Sequence, residues 1–297
     1  MIYEYRAFGM HITSKLALAL PKAPHYEDVP VWPVSIGFGD VKSDPSLPHS
    51  LGRIRFGLSG NDIQVEVPWA GRYRIKGDSR IDVEPEPSAD EKTVGLYITG
   101  LVLTFLLRRR PFLTLHGSAV AGPNGALAFL GDRGSGKSTT AMALIQAGYE
   151  MLCDDVIPIA AGPLVFPGIP LPKLLSDAYE RLVGDSSMAK SLFDGVDKYQ
   201  VDLPASHTPA HLHSIFVLEP TDVPNLEIAP LRGSAKFAAL LPFVCSSPGI
   251  DDTRTLFTRC TERLGTSVII HVARPATGYS LPELIERIVQ LDRGEGA

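Results

Sequence analysis

The chain has 297 residues, 44% of them hydrophobic and 21% charged, with a formal net charge of -5. That length holds one large domain or two smaller ones, and the composition is that of a globular protein rather than a disordered or fibrous one. The acidic balance argues against a nucleic-acid partner, which asks for a basic face. Three widely spaced cysteines, Cys153, Cys245 and Cys260, form no metal-ligand pattern and read as reduced thiols. The opening MIYEYRAFGMHITS shows no apolar signal core and no small-residue cleavage site, so a cytoplasmic location is expected. The most apolar stretch, Val94–Leu107, is shorter than the ~20 residues of a membrane span. It reads as a buried helix, and no membrane association is expected.

In chain order, residues 1–87 read as a small β-rich N-terminal domain. Short strands are predicted at Arg53–Phe56, Ile63–Val67 and Tyr73–Ile75, separated by Ser59-Gly60-Asn61 and Lys76-Gly77-Asp78 turns. Ser88 is the predicted N-cap of a connecting helix over 88–110, with Asp90 and Glu91 in its first turn, arginines at its end and Pro111 as its stop. The remainder, 111–297, is the main domain. Leu113–Val120 and Ala126–Leu130 are predicted strands joined by the turn Gly122-Pro123-Asn124-Gly125, hence a hairpin. A helix over Ser138–Ala147 ends at Gly148 as a C′ glycine, and a strand over Glu150–Cys153 runs into Asp154-Asp155. Further strands are expected at Ile157–Ile159, Val165–Phe166, His213–Leu218 and Ser267–His271, and helices at Lys173–Leu182 and Leu281–Leu291. The polar segment Gly184–Asp202 reads as mobile.

Gly131-Asp132-Arg133-Gly134-Ser135-Gly136-Lys137-Ser138, followed by Thr139, fits G-x-x-x-x-G-K-[ST] without exception. Its context fits too, with an apolar strand before it and a helix after it. Glycines let successive backbone N–H groups curl around phosphate oxygens, and the helix N-terminus adds partial positive charge. Lys137 is positioned to reach the β- and γ-phosphates, and Ser138 to hold Mg²⁺. Asp154-Asp155 follows the loop's helix at the end of a strand. One carboxylate is needed for Mg²⁺, and a second could take a proton from an attacking hydroxyl. Spacing does not say which does which. His116, on the strand before the loop, reads by itself as a satisfied core or turn histidine.

The run LHGSAVAGPNGALAFLGDRGSGKSTTAMALIQAGYEMLCDD over Leu115–Asp155 resembles the HPr serine kinase/phosphorylase superfamily. The shared features are a His-Gly before a hairpin, the hairpin feeding the loop, and the strand ending in Asp-Asp. Tyr5-Arg6-Ala7-Phe8-Gly9, Trp69–Ile75 and the helix leading into Leu115-His116-Gly117-Ser118-Ala119 resemble a narrower group, the HPr-kinase-like enzymes of lasso peptide biosynthesis. The resemblance implies an α/β fold: a P-loop kinase domain of the HPr kinase and phosphoenolpyruvate carboxykinase type, a mixed sheet with flanking helices, beside the β-rich N-terminal domain. It implies ATP and Mg²⁺ as cofactors, an active-site role for His116, and Asp154 or Asp155 as general base. It further implies a peptide substrate, the C-terminal serine of a lasso precursor, and allows a homo-oligomer. Lys198 falls where related sequences carry a basic residue, and Arg232 is another candidate cation for the transferring phosphoryl group or the acceptor. Residues 167–173 stand where bifunctional members carry a glycine-rich signature, so HPr as substrate and phosphorolysis are not implied. Kinases of small hydroxylated metabolites, non-catalytic nucleotide-binding regulators and phosphoenolpyruvate-carboxykinase-like enzymes are the alternative readings.

Overall fold

The computed structural model describes residues 1–21, 31–170, 173–174, 182, 190–191, 199–200, 205–246, 251–264, 267–276 and 278–295. The chain divides into two compact units: residues 1–114 with 245–259, and residues 115–244 with 260–297.

The first unit is built on one eight-stranded sheet of β1 (Tyr3–Ala7), β2 (Met10–Ser14), β3 (Trp32–Phe38), β4 (His49–Leu51), β5 (Ile54–Ser59), β6 (Asp62–Val67), β7 (Gly71–Lys76) and β8 (Arg80–Pro85). The strand order is β1-β2-β3-β8-β7-β6-β5-β4. Strands β4 to β8 form an antiparallel run of hairpins, and the two tight turns read from the sequence hold Gly60 and Gly77 at φ +64° and +59°. Strand β3 instead pairs in parallel with both β2 and β8. Alternating residues supply a core of Ile63, Val65, Tyr73, Ile75, Ile81 and Val83, joined by Ile98, Val102, Leu103 and Leu106 of the helical segment. The Tyr73 hydroxyl donates to Val94 O at 3.2 Å. That segment is α1 (Glu91–Tyr97), a π turn over Ile98–Val102, and α2 (Leu103–Arg109). Its N-cap is Asp90 rather than Ser88: the Asp90 carboxylate accepts from Thr93 N at 2.7 Å and from the Thr93 hydroxyl, two bonds that a serine two positions earlier is too far along the chain to make.

The second unit carries a mixed sheet. Its strands are β9 (Leu113–His116, straddling the junction), β10 (Ser118–Gly122), β11 (Gly125–Leu130), β12 (Glu150–Cys153), β13 (Val156–Ala160) and β14 (Leu164–Val165). Three two-residue strands, β15 (Lys173–Leu174), β16 (Lys190–Ser191) and β17 (Tyr199–Gln200), form a separate small sheet. Strands β18 (Ala210–Thr221), β19 (Glu227–Pro230) and β20 (Val268–Pro275) complete the set. The helices are α3 (Lys137–Gln146), α4 (Ser234–Leu240), α5 (Thr253–Leu264, begun in the first unit) and α6 (Leu281–Asp292). The predicted single strand over 113–120 is two strands, broken at Gly117. Of the predicted helix over 173–182, Lys173–Leu174 pair as a strand with Tyr199–Gln200, and 175–181 lie outside the described residues.

Strand β10 pairs antiparallel with both β11 and β12, so β11 and β12 run in the same direction with β10 between them. On its other side β11 pairs in parallel with β18, and β18 with β20. One face of this sheet buries Val120, Leu127, Phe129, Phe216, Leu218, Ile270 and Val272 against Ala141 and Leu144 of α3 and Leu284 and Ile288 of α6. Helix α3 ends in a Schellman motif: Gly148, at φ +96°, donates to Ile145 O and Tyr149 to Leu144 O. Among the described residues no helix is long and apolar enough to cross a membrane.

Candidate active site

The strand directions gather the candidate residues at one edge. The carboxyl ends of β11, β12, β18 and β20 all open there, and β10, running the other way, brings its amino end to the same edge. Ligands of mixed and parallel sheets collect at such carboxyl ends.

From the end of β11 comes the loop. Gly131, Gly134 and Gly136 have φ of +146°, +86° and +94°, backbone that L side chains rarely adopt. A Cβ on Gly131 would stand 2.4 Å from Leu218 O and 2.5 Å from Ser135 Oγ, so the turn also demands glycine on packing grounds. Gly136 is the N-cap of α3, and Ser135 N donates to Asp132 O at 3.0 Å. Lys137 begins the helix and folds back over the loop, donating to Gly131 O at 2.7 Å and Asp132 O at 3.0 Å. Ser135 is buried, and its hydroxyl has no hydrogen-bond partner among the described residues. Asp132, Arg133 and Gly134 are exposed, while Ser138 and Thr139 are half-buried.

From the end of β12 come the two aspartates, and their surroundings differ. Asp154 is buried. Its Oδ1 accepts from the Ser138 hydroxyl at 3.0 Å and from the fully buried Ser118 hydroxyl at the start of β10. One carboxylate oxygen thus ties the loop's helix, the hairpin and β12 together. Asp155 is half-buried and has φ +66°; a non-glycine residue at positive φ is uncommon and clusters at functional sites. Its carbonyl oxygen accepts from Gly117 N at 3.3 Å and lies 2.9 Å from His116 Nδ1. A carbonyl only accepts, so Nδ1 carries the proton in this contact. His116 is therefore bound to the backbone of Asp155. Cys153, just before the pair, is fully buried, and burial together with the neighbouring Asp154 charge pushes its thiol pKa far up.

Two of these groups are absent from the sequence reading. Ser118 follows the His-Gly that drew attention, but a lone serine in a strand carries no signal until β10 is seen between β11 and β12. Arg274 is the next-to-last residue of β20, remote in sequence from the loop. Its Nη2 stands 3.1 Å from where a Cβ on Gly136 would be. Arg232 lies exposed in the turn between β19 and α4, next to Leu231, which lines the same cavity as Asp132. Lys198 lies outside the described residues. Beside the loop, Asp132, Leu218, Leu231, Ala238 and Phe243 are among the residues lining a cavity of 570 Å³ that also holds a Glu219–His271 pair 2.6 Å apart.

The donor set fits a Mg²⁺-borne triphosphate. Mg²⁺ at such sites takes one or two protein oxygens and completes its octahedron with phosphate and water, and Ser138 Oγ and Asp154 Oδ1 are two hard oxygens 3.0 Å apart at the loop.

No family model matches the chain, and no curated protein does. Among solved structures the chain is similar to the Hpr(Ser) kinase/phosphatase from Coxiella burnetii, at 18% identity and a TM-score of 0.29 over 61% of this chain and 91% of that one. A likeness of that degree leaves the chemistry to be read from this chain's own geometry.

Proposed function

We propose that the second unit is an ATP-dependent kinase that transfers the γ-phosphoryl group to a serine hydroxyl of a peptide, the C-terminal serine of a lasso precursor being the acceptor that the sequence resemblance favours. The observation that carries the reading is the Ser138–Asp154 contact across a glycine loop of this conformation. It joins a phosphate cradle to a carboxylate at the end of β12, which runs parallel to the loop's strand on the far side of β10.

Loop amides and Lys137 hold the phosphates, and on binding Lys137 exchanges its carbonyl partners Gly131 and Asp132 for phosphate oxygens. When bound, Mg²⁺ neutralises charge on the β- and γ-phosphates. Ser138 and Asp154 supply the protein's oxygens to it, and the Ser118 hydroxyl orients the Asp154 carboxylate. Asp155 then serves as the base: the serine oxygen attacks the γ-phosphorus, its proton passes to the Asp155 carboxylate, and the β–γ bridging bond breaks with its electron pair leaving on ADP. His116 positions this residue through its carbonyl. Catalysis of this kind rests on placement and electrostatics.

The test is incubation of the protein with ATP, Mg²⁺ and serine-ended precursor peptides, read by mass spectrometry for one added phosphoryl group. Failure with every peptide, alongside turnover of a small hydroxylated metabolite, moves the assignment to a metabolite kinase. ATP binding without turnover of any acceptor makes the protein a nucleotide-binding regulator. Asp155→Asn should keep ATP affinity and lose turnover, whereas Asp154→Asn should weaken both. The opposite pattern would exchange their roles.

A further inference from the structure

Strand β20 alternates its side chains across the sheet. Ile270 and Val272 join the core beneath α3 and α6, and Arg274, next in that series, meets the first turn of α3. Its guanidinium atoms Nη2, Cζ and Nη1 lie 3.1, 3.4 and 3.5 Å from the Cβ position of Gly136. That glycine is at φ +94° and is the N-cap of the helix. Arg274 is half-buried, and its Nε is buried without a hydrogen-bond partner among the described residues. Among the described residues no carboxylate pairs with it, and burial lowers its pKa. A desolvated cation with no anion is costly, and here it stands against backbone that offers further positive charge, the amino end of a helix.

We infer that Arg274 is a phosphate-binding residue of this site, an arm from the far side of the loop whose missing counter-ion is the polyphosphate of the nucleotide. The inference rests on the kinase reading of the loop. A guanidinium presents a planar fork of donors that matches phosphate oxygens two at a time. With Lys137 it would grip the bound phosphates from two elements, α3 and β20, that are 137 residues apart in the chain. The single glycine at position 136 keeps the approach open, since a side chain there would occupy the space that the guanidinium uses.

The experiment measures affinity for MgATP and for inorganic tripolyphosphate with Mg²⁺ by calorimetry, together with thermal unfolding without ligand, for the full chain and its Arg274→Gln and Arg274→Lys variants. The expected result is at least ~10-fold weaker binding of both ligands by the Gln variant. Lys should recover part of the loss, because it keeps the charge without the fork. Ligand-free melting of the Gln variant should match or exceed the parent's, because an uncompensated cation has been removed. Wild-type affinity for tripolyphosphate in the Gln variant overturns the inference. So does an equal loss in both variants accompanied by a lower ligand-free melting temperature, the signature of a packing residue. Lys137→Ala separates the two levels: if it binds tripolyphosphate as the parent does, the loop reading itself fails; if it loses binding while Arg274→Gln does not, only the role of Arg274 falls.

Discussion

Replacing Gly117 by alanine tests how tightly the hairpin is seated against the loop's strand. Gly117 is not at positive φ, so an alanine there meets no conformational penalty and its effect is purely one of space. Its Cβ would stand 2.4 Å from Phe129 O, 2.7 Å from Leu130 Cδ2 and 3.0 Å from Ile157 Cδ1. The first of these is backbone, about 1 Å inside ordinary contact distance. Phe129 is held on its other side by its parallel pairing with Phe216, and it precedes Gly131 by two residues, so β11 cannot retreat without carrying the loop. Overpacking of this kind costs about 1–3 kcal/mol, and at about 2–4 °C per kcal/mol for a unit of this size the melting temperature should fall by roughly 2–12 °C. MgATP affinity should fall with it, because the loop moves. Differential scanning calorimetry and ATP titration on the same preparation measure both. Gly148→Ala is the control. It stands at φ +96° with nothing within 4 Å of its Cβ, so it should cost about 1 kcal/mol through conformation and leave ATP affinity alone. Wild-type melting and affinity in Gly117→Ala would refute the reasoning.

His116→Ala removes one hydrogen bond to the Asp155 carbonyl, worth about 0.5–1.5 kcal/mol. Turnover should drop by more than ~10-fold, as expected for a displaced base, while ATP affinity stays put; steady-state kinetics with unchanged kcat would remove His116 from the mechanism. Burial raises the pKa of all three thiols, that of Cys245 to about 11. At pH 8 only about one Cys245 in a thousand is then thiolate. Iodoacetamide should leave the native protein unlabelled and label three sites after unfolding, so rapid native labelling contradicts the burial. In the first unit, burial would raise the Asp82 pKa, but Lys76 at 2.6 Å and Arg80 at 2.8 Å outweigh it and hold the carboxyl below the usual range. A depressed folded pKa gives stability that is present above the unfolded value near ~4 and is lost as pH falls through the folded one. Asp82→Asn should therefore destabilise by about 1–2 kcal/mol at neutral pH, a gap that closes below pH ~4; denaturant melts showing a pH-independent gap would count against the ion pairs.

The loop, its strand and helix, the hairpin and the aspartate pair were legible because each is specified locally: glycines where φ must be positive, an apolar run, a turn of Gly122 to Gly125. What escaped depends on partners far along the chain. The parallel pairing of β3 with β2 and β8 leaves no local mark. Strand β8 was hidden by Asp82, a buried carboxylate that reads as surface until Lys76 and Arg80 are seen beside it. Ser88 and Asp90 are both competent caps, and only the reach to Thr93 chooses between them. Gly117 breaks one predicted strand into two because the carbonyl of Asp155 takes the amide that a continuous strand would have given to its neighbour. Within the candidate site, the glycine loop and the aspartate pair are visible in the sequence, whereas only the topology brings Ser118 to Asp154 and Arg274 to Gly136.

Strand β10 has a consequence beyond filling a gap. It places β11 and β12 two strand spacings apart, roughly 10 Å, and the Ser118 hydroxyl spans part of that width. Which side chain sits there is fixed at the opposite end of the hairpin, where Gly122 faces Gly125 across only Pro123 and Asn124. The Asn124 side chain is pinned to the carbonyl of Asp292, and a Cβ on Gly125 would collide with His211 O at 2.4 Å. One residue added to that turn would slide β10 by a step and turn its faces over, replacing the hydroxyl at Asp154 with the hydrogen of Gly117 or the methyl of Ala119. The length of a surface turn at the far end of the hairpin is thus a gauge that sets which side chain meets Asp154, and insertions there should alter the surroundings of that carboxylate although they lie at the opposite end of the strand.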